Sequence, residues 1–272
     1  MHGKDPSFLE CWPRAILRVA TILVLAAIGL AGCHPSSGDG PGTWKAGAAA
    51  ANKAAETFLA VSAGAGRPPR RTDPGIAKLL DQVFNVPVHR DTSPSASFES
   101  IQDWLHASLL VGAVYLRAGL EPRDTDNPDA PPMLLRSKSI LIYGPEVGRY
   151  LDAELRLVNE LDNAVSENER LKRGKITPEE QLTRSQVTDE TVQLLTNVLE
   201  AMALRGVTDQ WRSGRVGALQ LVARNSAPLL LSPQQRCLVR DAAKKAQNAT
   251  ESQTLKHQLV DFTFWFLDPV KG

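Results

Sequence analysis

A proline directly after a helix-capping or turn residue recurs along this chain, and no other feature constrains its fold as strongly. Proline suits the first helical turn because its missing N–H would be unpaired there anyway, while a preceding Asp, Ser or Thr side chain can accept a bond from that turn. Such pairs predict helix starts at Asp73-Pro74, Ser93-Pro94, Gly144-Pro145, Thr177-Pro178 and Ser232-Pro233. Thr177 and Ser232 are also followed three residues later by Glu or Gln, as in a capping box.

Between these starts, apolar residues recur at helical spacing and seldom alternate with the period of a strand. The pattern predicts helices over residues 43–63, 74–85, 94–118, 145–173, 178–205, 208–224, 232–247 and 251–267. A short helix near residues 132–142 is a further prediction, although Ile140–Tyr143 also fits a short strand. We therefore expect an all-α protein built as a multi-helix bundle.

Two of these helices, 145–173 and 178–205, are long and are separated only by a turn at Gly174. Each carries an apolar stripe: Leu151, Leu155, Val158, Leu161 and Val165 on the first, and Leu195, Val198, Leu199 and Met202 on the second. The two helices are predicted to form an antiparallel hairpin. They are too long for the roughly 34-residue unit of a tetratricopeptide array.

The segment 121–132 is rich in Asp and Pro, which is typical of an exposed loop. The helical domain, residues 43–272, is therefore either one domain or two lobes divided near residues 121–135. Asp124, Asp126 and Asp129 suggest a calcium loop, but Pro128 and Leu135 occupy ligand positions of an EF-hand, so a solvated loop is favoured.

The N-terminus has the order of a secretion signal. Arg14 and Arg18 precede an apolar run, Ala20–Leu30, which is followed by small residues and Cys33. The eleven residues of this run are too few for a membrane-spanning helix, which needs about 20. Residues 1–32 are therefore predicted to be a signal peptide that is removed.

Leu30-Ala31-Gly32-Cys33 resembles the lipobox of bacterial lipoproteins. The resemblance implies that Cys33 is acylated, with palmitate among its chains, and becomes the first residue of the mature protein. Two or more acyl chains anchor a protein stably to a membrane. His34 stands where the inner-membrane retention signal of enteric lipoproteins has Asp, so the resemblance favours the outer membrane, facing the periplasm. Residues 33–42, rich in Ser, Gly and Pro, would be the lipidated cysteine and a flexible tether.

Charge and cysteine content limit which binding partners and which disulfides are expected. Removal of the signal leaves equal numbers of basic and acidic residues, and a nucleic-acid partner is not expected without a basic excess. With Cys11 removed and Cys33 acylated, Cys237 is the remaining thiol, so no intramolecular disulfide is expected. Its position on a predicted helix favours burial. No cofactor is expected.

Gly217-Ala218-Leu219-Gln220 resembles the Gly-Leu-Met-Gln segment of lytic transglycosylases with a lysozyme-like fold. In that family a catalytic Glu ends an earlier helix, at a spacing that Glu200 matches. The resemblance implies that Glu200 is an acid that protonates a glycosidic oxygen, which requires an apolar pocket. Ala201 stands where the family has Ser, and Glu200 lies away from the apolar stripe of its helix, so a surface glutamate is favoured.

Metal binding has one weak candidate. Glu99, Asp103 and His106 share a helix face, but only Asp103-x-x-His106 approaches the Glu-x-x-His pattern of di-metal bundles. A polar helix face is therefore favoured over a metal site.

The last predicted helix contains Phe262, Trp265 and Phe266 among five large apolar residues. These side chains cannot all face one way on a helix, so they either pack in the core or leave part of a docking patch exposed. The core is favoured, and the docking patch remains open as the alternative.

Taken with the absence of a recognisable catalytic motif in the sequence, these patterns favour binding over catalysis. We expect a membrane-anchored periplasmic lipoprotein that acts as a protein-binding or envelope-assembly module. An immunity-type inhibitor of a periplasmic toxin fits as well, and a lysozyme-like peptidoglycan lytic enzyme is the third alternative.

Overall fold

A computed structural model describes residues 43–87, 96–118, 137–171, 177–225 and 231–267, and every regular element within them is an α-helix. The helices are α1 (Thr43–Ala65), α2 (Ile76–Phe84), α3 (Phe98–Arg117), α4 (Ser137–Leu171), α5 (Pro178–Ala203), α6 (Asp209–Asn225), α7 (Pro233–Asn248) and α8 (Gln253–Leu267). The predicted all-α class is confirmed. None of these helices is long and apolar enough to cross a membrane.

The longest helix, α4, has the most packing partners. It contacts α2, α3, α5 and α6. On one side of it, α1 packs against α2 and α3; on the other, α5 packs against α7, and α8 packs against α6 and α7. Buried side chains from all eight of these helices belong to one continuous apolar cluster. The arrangement is a multi-helix bundle around α4.

The predicted hairpin of α4 and α5 is confirmed. The apolar stripes of both helices are buried, with every member at most 8% exposed. Arg184 of α5 donates to Ser166 of α4 at 3.1 Å. Glu190 lies further along α5, and its charge raises the pKa of Glu154, which lies earlier in α4 than Ser166. Because residue numbers rise along one helix as they fall along the other, the two helices are antiparallel. The predicted turn at Gly174 lies outside the described residues.

The start of α4 differs from its prediction. The helix begins at Ser137, and Tyr143 interrupts it with non-helical backbone angles (φ −120°, ψ 31°), just before Pro145. Proline removes one helical N–H and crowds the carbonyl four residues earlier, which kinks a helix. The predicted helices near 132–142 and at 145–173 are therefore parts of one kinked helix from Ser137 onward. The alternative of a strand at Ile140–Tyr143 is wrong.

The predicted helix start at Asp73-Pro74 is also wrong. Helix α2 begins at Ile76, after Gly75 in a left-handed conformation (φ 78°). The Asp73 carboxylate instead accepts from the backbone N of Arg70 at 2.8 Å and from Arg67 at 3.1 Å. Short acidic side chains often bond to nearby backbone in this way, and here Asp73 bonds within the turn before α2 instead of capping the helix.

Helix α3 begins at Phe98 rather than at Pro94, which lies outside the described residues. Ser97 is its cap and accepts from the backbone N of Ser100 at 3.2 Å. A capping serine is present, as predicted, but it lies four residues later than the Ser93-Pro94 pair.

The capping box at the start of α7 is confirmed. Ser232 Oγ accepts from the backbone N of Gln235 at 3.2 Å, and Gln235 Oε1 accepts from the backbone N of Ser232 at 2.7 Å. Two N–H groups that the helix itself leaves unpaired are thereby satisfied.

Loss of this cap has a measurable cost. We expect Ser232→Ala to lower the free energy of unfolding by about 1 kcal/mol, because one N–H of α7 loses its acceptor. Urea denaturation followed by circular dichroism measures the difference. Ser213→Ala, at an exposed site within α6, is the control and should change the stability little. An equal loss in both variants would show that the cap does not stabilise α7.

Candidate functional site

Helix α4 carries an unusual number of polar side chains into the interior. Glu146, Glu154, Asn159 and Glu160 are each at most 5% exposed. A buried carboxyl is costly unless it is paired or hydrogen-bonded. Glu146 has such a bond, since it accepts from the backbone N of Arg71 at 2.7 Å. Glu154 differs, because part of its carboxyl has no such bond.

Three helices enclose the Glu154 carboxyl. Ser108 of α3 faces it, and Glu190 of α5 is close enough for its charge to act on it. Oε1 of Glu154, Oε1 of Glu190 and Oγ of Ser108 are all buried without a partner in good hydrogen-bond geometry. Two acids with a buried oxygen that lacks a partner, Glu154 and Glu190, thus lie within reach of each other's charge, and we call them the carboxyl pair.

The environment of the carboxyl pair favours its protonated form. Burial raises the pKa of Glu154 from 4.5 to about 8; the Ser108 hydroxyl opposes this rise and the Glu190 charge adds to it. Burial also raises the pKa of Glu190 from 4.5 to about 7, with a further contribution from the Asp189 charge. Burial therefore favours the neutral form of both acids.

Sequence reasoning missed the carboxyl pair, although a signal was present. Glu154 is four residues from Tyr150 and four from Val158, so it occupies a position on a buried row of α4. A charged residue at an apolar position of a helix indicates a buried acid. Its partner, Glu190, is 36 residues away in sequence, and no local pattern connects the two.

A part-buried ion pair joins α4 to α6. Arg215 Nε and Nη2 donate to the two carboxylate oxygens of Asp152 at 2.5 and 2.6 Å. The Trp211 ring stacks on the guanidinium at 5.1 Å, and Trp211 Nε1 donates to the Gly144 carbonyl at 2.8 Å. Burial raises the pKa of Asp152, and Arg215 opposes that rise. The bidentate geometry fixes the position of α6 on α4.

A surface cavity of about 530 Å³ lies where α5 ends and α6 begins, and Arg205, Gly206 and Glu251 are among its lining residues. Neither member of the carboxyl pair lines it. Two of its charged lining residues, Asp209 and Arg212, are engaged with the protein itself.

Asp209 accepts from Thr250 Oγ1 and from Arg212 Nη1, both at 2.7 Å, and from the backbone N of Ser252 at 3.3 Å. Arg212 Nε also donates to the Met202 carbonyl at 2.7 Å. These bonds, first that from Thr250, hold the pKa of Asp209 below its ordinary value. The network ties the end of α5 to the starts of α6 and α8.

The structure places Glu200 on the outside of α5. Its side chain is 43% exposed and lies 3.3 Å from Nζ of Lys245 on α7. The resemblance to lytic transglycosylases requires an acid in an apolar pocket, whereas here an ammonium group in contact with solvent is the partner of the carboxylate.

The candidate metal ligands Asp103 and His106 are both exposed on α3, together with Glu99. Among the residues that the structure describes, no group of three or more His, Cys, Asp or Glu side chains could hold a metal ion.

The aromatic residues of α8 do not form one surface. Phe262 is fully buried in the core, so it is not a docking residue in this structure. Among the described side chains of α8, the exposed large apolar ones are Val260 and Phe264, at 50% and 49% exposure. The side chains of Trp265 and Phe266 lie outside the described residues.

The expectation that Cys237 is buried is wrong, because its thiol is exposed. Helix α7 packs through the face that carries Val239, Ala242, Ala243 and Ala246. Cys237 precedes Val239 by two residues, which places it about 200° around the helix and hence on the opposite face.

Three further predictions fall outside the described residues: lipidation of Cys33, the tether at 33–42 and the loop at 121–132. They remain predictions from the sequence.

The chain was also compared with known proteins. No protein-family model matches it, and neither does a curated protein or a solved structure.

Proposed function

We propose that this protein is a lipid-anchored helical module of the bacterial envelope that binds another protein in the periplasm. The observation that carries the proposal is the lipobox, Leu30–Cys33, which directly follows an apolar core of signal-peptide length. Acylation of Cys33 would hold the protein at a membrane, with the outer membrane favoured over the inner. Anchoring raises the local concentration of a binding module at that surface.

The tether limits how far the module reaches. Nine residues, 34–42, separate Cys33 from the first residue of α1, Thr43. Fully extended, such a segment spans about 30 Å. The start of α1 would therefore remain within that distance of the membrane, and partners would be proteins at the membrane or beside it.

The outer face of α8 is the first surface to test for binding. Val260 and Phe264 are one helical turn apart, and each is about half exposed. Neighbouring exposed apolar side chains on one face are more typical of a contact surface than scattered single ones. The exposed carboxylate of Glu200, in contrast, is engaged by Lys245.

The anchor is tested by one substitution. We expect the wild-type protein to incorporate labelled palmitate and to sediment with membranes, and Cys33→Ser to lose both properties, because acylation requires the thiol. Cys237→Ser is the matched control and should behave as the wild type. Membrane attachment and labelling that persist in Cys33→Ser would refute the lipid anchor.

The binding role is tested by cross-linking in the native bacterium. A photo-reactive amino acid at Phe264 is compared with one at Lys244, an exposed polar site on α7. We expect one envelope protein to be captured strongly at Phe264 and not at Lys244. An assembly protein would support the envelope-assembly role, and a toxin would support the immunity role. If equivalent probes on every exposed face capture no protein, the binding role is wrong.

The lytic alternative is tested with the purified protein. Incubation of the purified protein with peptidoglycan should release no soluble glycan fragments. Release by the wild type that Glu200→Gln abolishes would establish the enzyme instead.

A further inference from the structure

We propose that the carboxyl pair, Glu154 of α4 and Glu190 of α5, is a proton-binding switch that makes the packing of α5 against α4 depend on pH. The inference is independent of the proposed binding role. It rests on the placement of two acids at a helix interface, each with a buried oxygen that has no partner.

The geometry explains why protons should control this interface. A carboxylate oxygen that is buried without a hydrogen-bond donor has lost its hydration, and the charge of the second acid adds repulsion. Protonation removes that charge. The interface is therefore most stable with both acids protonated and is weakened as they ionise.

The charges around the pair do not supply an alternative partner. Helix α3 contributes the neutral hydroxyl of Ser108. On α4, the charge of Glu154 is one cause of the raised pKa of Tyr150, so Tyr150 lies within reach of Glu154. On α5 the neighbouring charge is Asp189, which adds repulsion and accepts from Gln235 of α7 at 2.5 Å.

Arg184 of α5, six residues before Glu190, contacts Ser166 and Asp162 of α4. Within the described ranges, no Lys, Arg or His forms an ion pair with either member of the carboxyl pair. Protonation therefore removes a charge that no cation of the described residues neutralises.

The direction of the pH effect follows from linkage. The folded protein binds these protons more tightly than the unfolded chain, since the pKa values rise from 4.5 to about 8 for Glu154 and about 7 for Glu190. The stabilisation is fully present below pH 4.5 and is lost as the pH rises through about 7 and about 8. Each group changes the unfolding equilibrium by about tenfold per pH unit within its window.

The test compares the mature wild-type protein in a non-ionic detergent with Glu154→Gln, Glu190→Gln and the double variant between pH 5.5 and 8.5. We expect the unfolding constant of the wild type to rise on the order of several thousandfold more over this range than that of the double variant. The reason is that glutamine imitates the protonated acid at every pH. Glu200→Gln is the control at an exposed acid, and its pH profile should match that of the wild type.

Hydrogen exchange locates the effect. After correction for the intrinsic rate, amides of α5 in the wild type should exchange faster at pH 8.5 than at pH 5.5, and those of α1 should not. The difference should disappear in the double variant. Parallel pH profiles for wild type and double variant would overturn the switch.

Carboxyl NMR of the wild type keeps the proposal testable if the variants fail to fold. We expect two glutamate carboxyls to titrate between pH 6 and pH 9, in two coupled steps. If every glutamate carboxyl titrates below pH 6, the carboxyl pair holds no proton at neutral pH and the proposal is wrong.

Discussion

Gly112→Ala should lower the free energy of unfolding by about 3 kcal/mol, because the added methyl group overpacks the contact between α3 and α4. A Cβ at this position would lie 2.8 Å from Cζ of Tyr150, and closer still to two other atoms of that ring. Carbon atoms in contact are normally about 3.5–4.0 Å apart. The Tyr150 ring cannot easily move aside, since it is 6% exposed and packs edge-on against Phe84.

Gly217→Ala is the matched control for this prediction. Gly217 lies within α6, is exposed, and has no atom within 4 Å of the position that a Cβ would take. Alanine is favoured over glycine inside a helix by about 1 kcal/mol, so this variant should be more stable than the wild type. Urea denaturation of both variants measures the two effects. A gain in stability for Gly112→Ala would mean that α3 and α4 do not pack closely at Tyr150.

The second large effect is expected at the ion pair between α4 and α6. Asp152→Ala should lower the free energy of unfolding by about 3 kcal/mol, because it leaves the Arg215 guanidinium without its counter-charge. Arg215 is 9% exposed and is held between the Trp211 ring and the backbone of Gly148. It therefore cannot turn into solvent without moving α6.

A double-mutant cycle separates the ion pair from the packing around it. In Asp152→Ala/Arg215→Met no uncompensated charge remains, and we expect most of the lost stability to return. Lys245→Ala, which breaks the exposed pair with Glu200, should have little effect. If the double variant is as unstable as the sum of its two single variants, the two side chains do not act as a pair.

Local patterns accounted for the helices well where the residues that decide the structure are neighbours in sequence. The capping box of Ser232 and Gln235 spans four residues, and the structure forms it as predicted. The buried stripes of α4 and α5 follow from helical spacing alone, and they placed the hairpin correctly. A helix start or a buried face depends on a few successive residues, which a sequence displays directly.

The predictions failed where a side chain that suggests one local structure had another environment available in the fold. Asp73 resembles a cap but bonds to the turn before α2 instead. Cys237 is a residue type that is usually buried, yet the packed face of α7 lies on the other side of the helix. Helical spacing placed Glu200 away from the apolar stripe of α5, as the structure has it, but it could not reveal the pair with Lys245, which joins two helices.

The sequence by itself determined the all-helical class, the paired long helices and the apolar faces that form the core. It also supplies the lipobox on which the proposed anchor depends. Only the tertiary structure decided that Glu154 lies within reach of the Glu190 charge and that Asp152 meets Arg215, 63 residues away. The physical reason is range: capping and helical spacing act within a turn or two of the chain. A buried charge acquires its partner and its pKa only from the helices that pack around it.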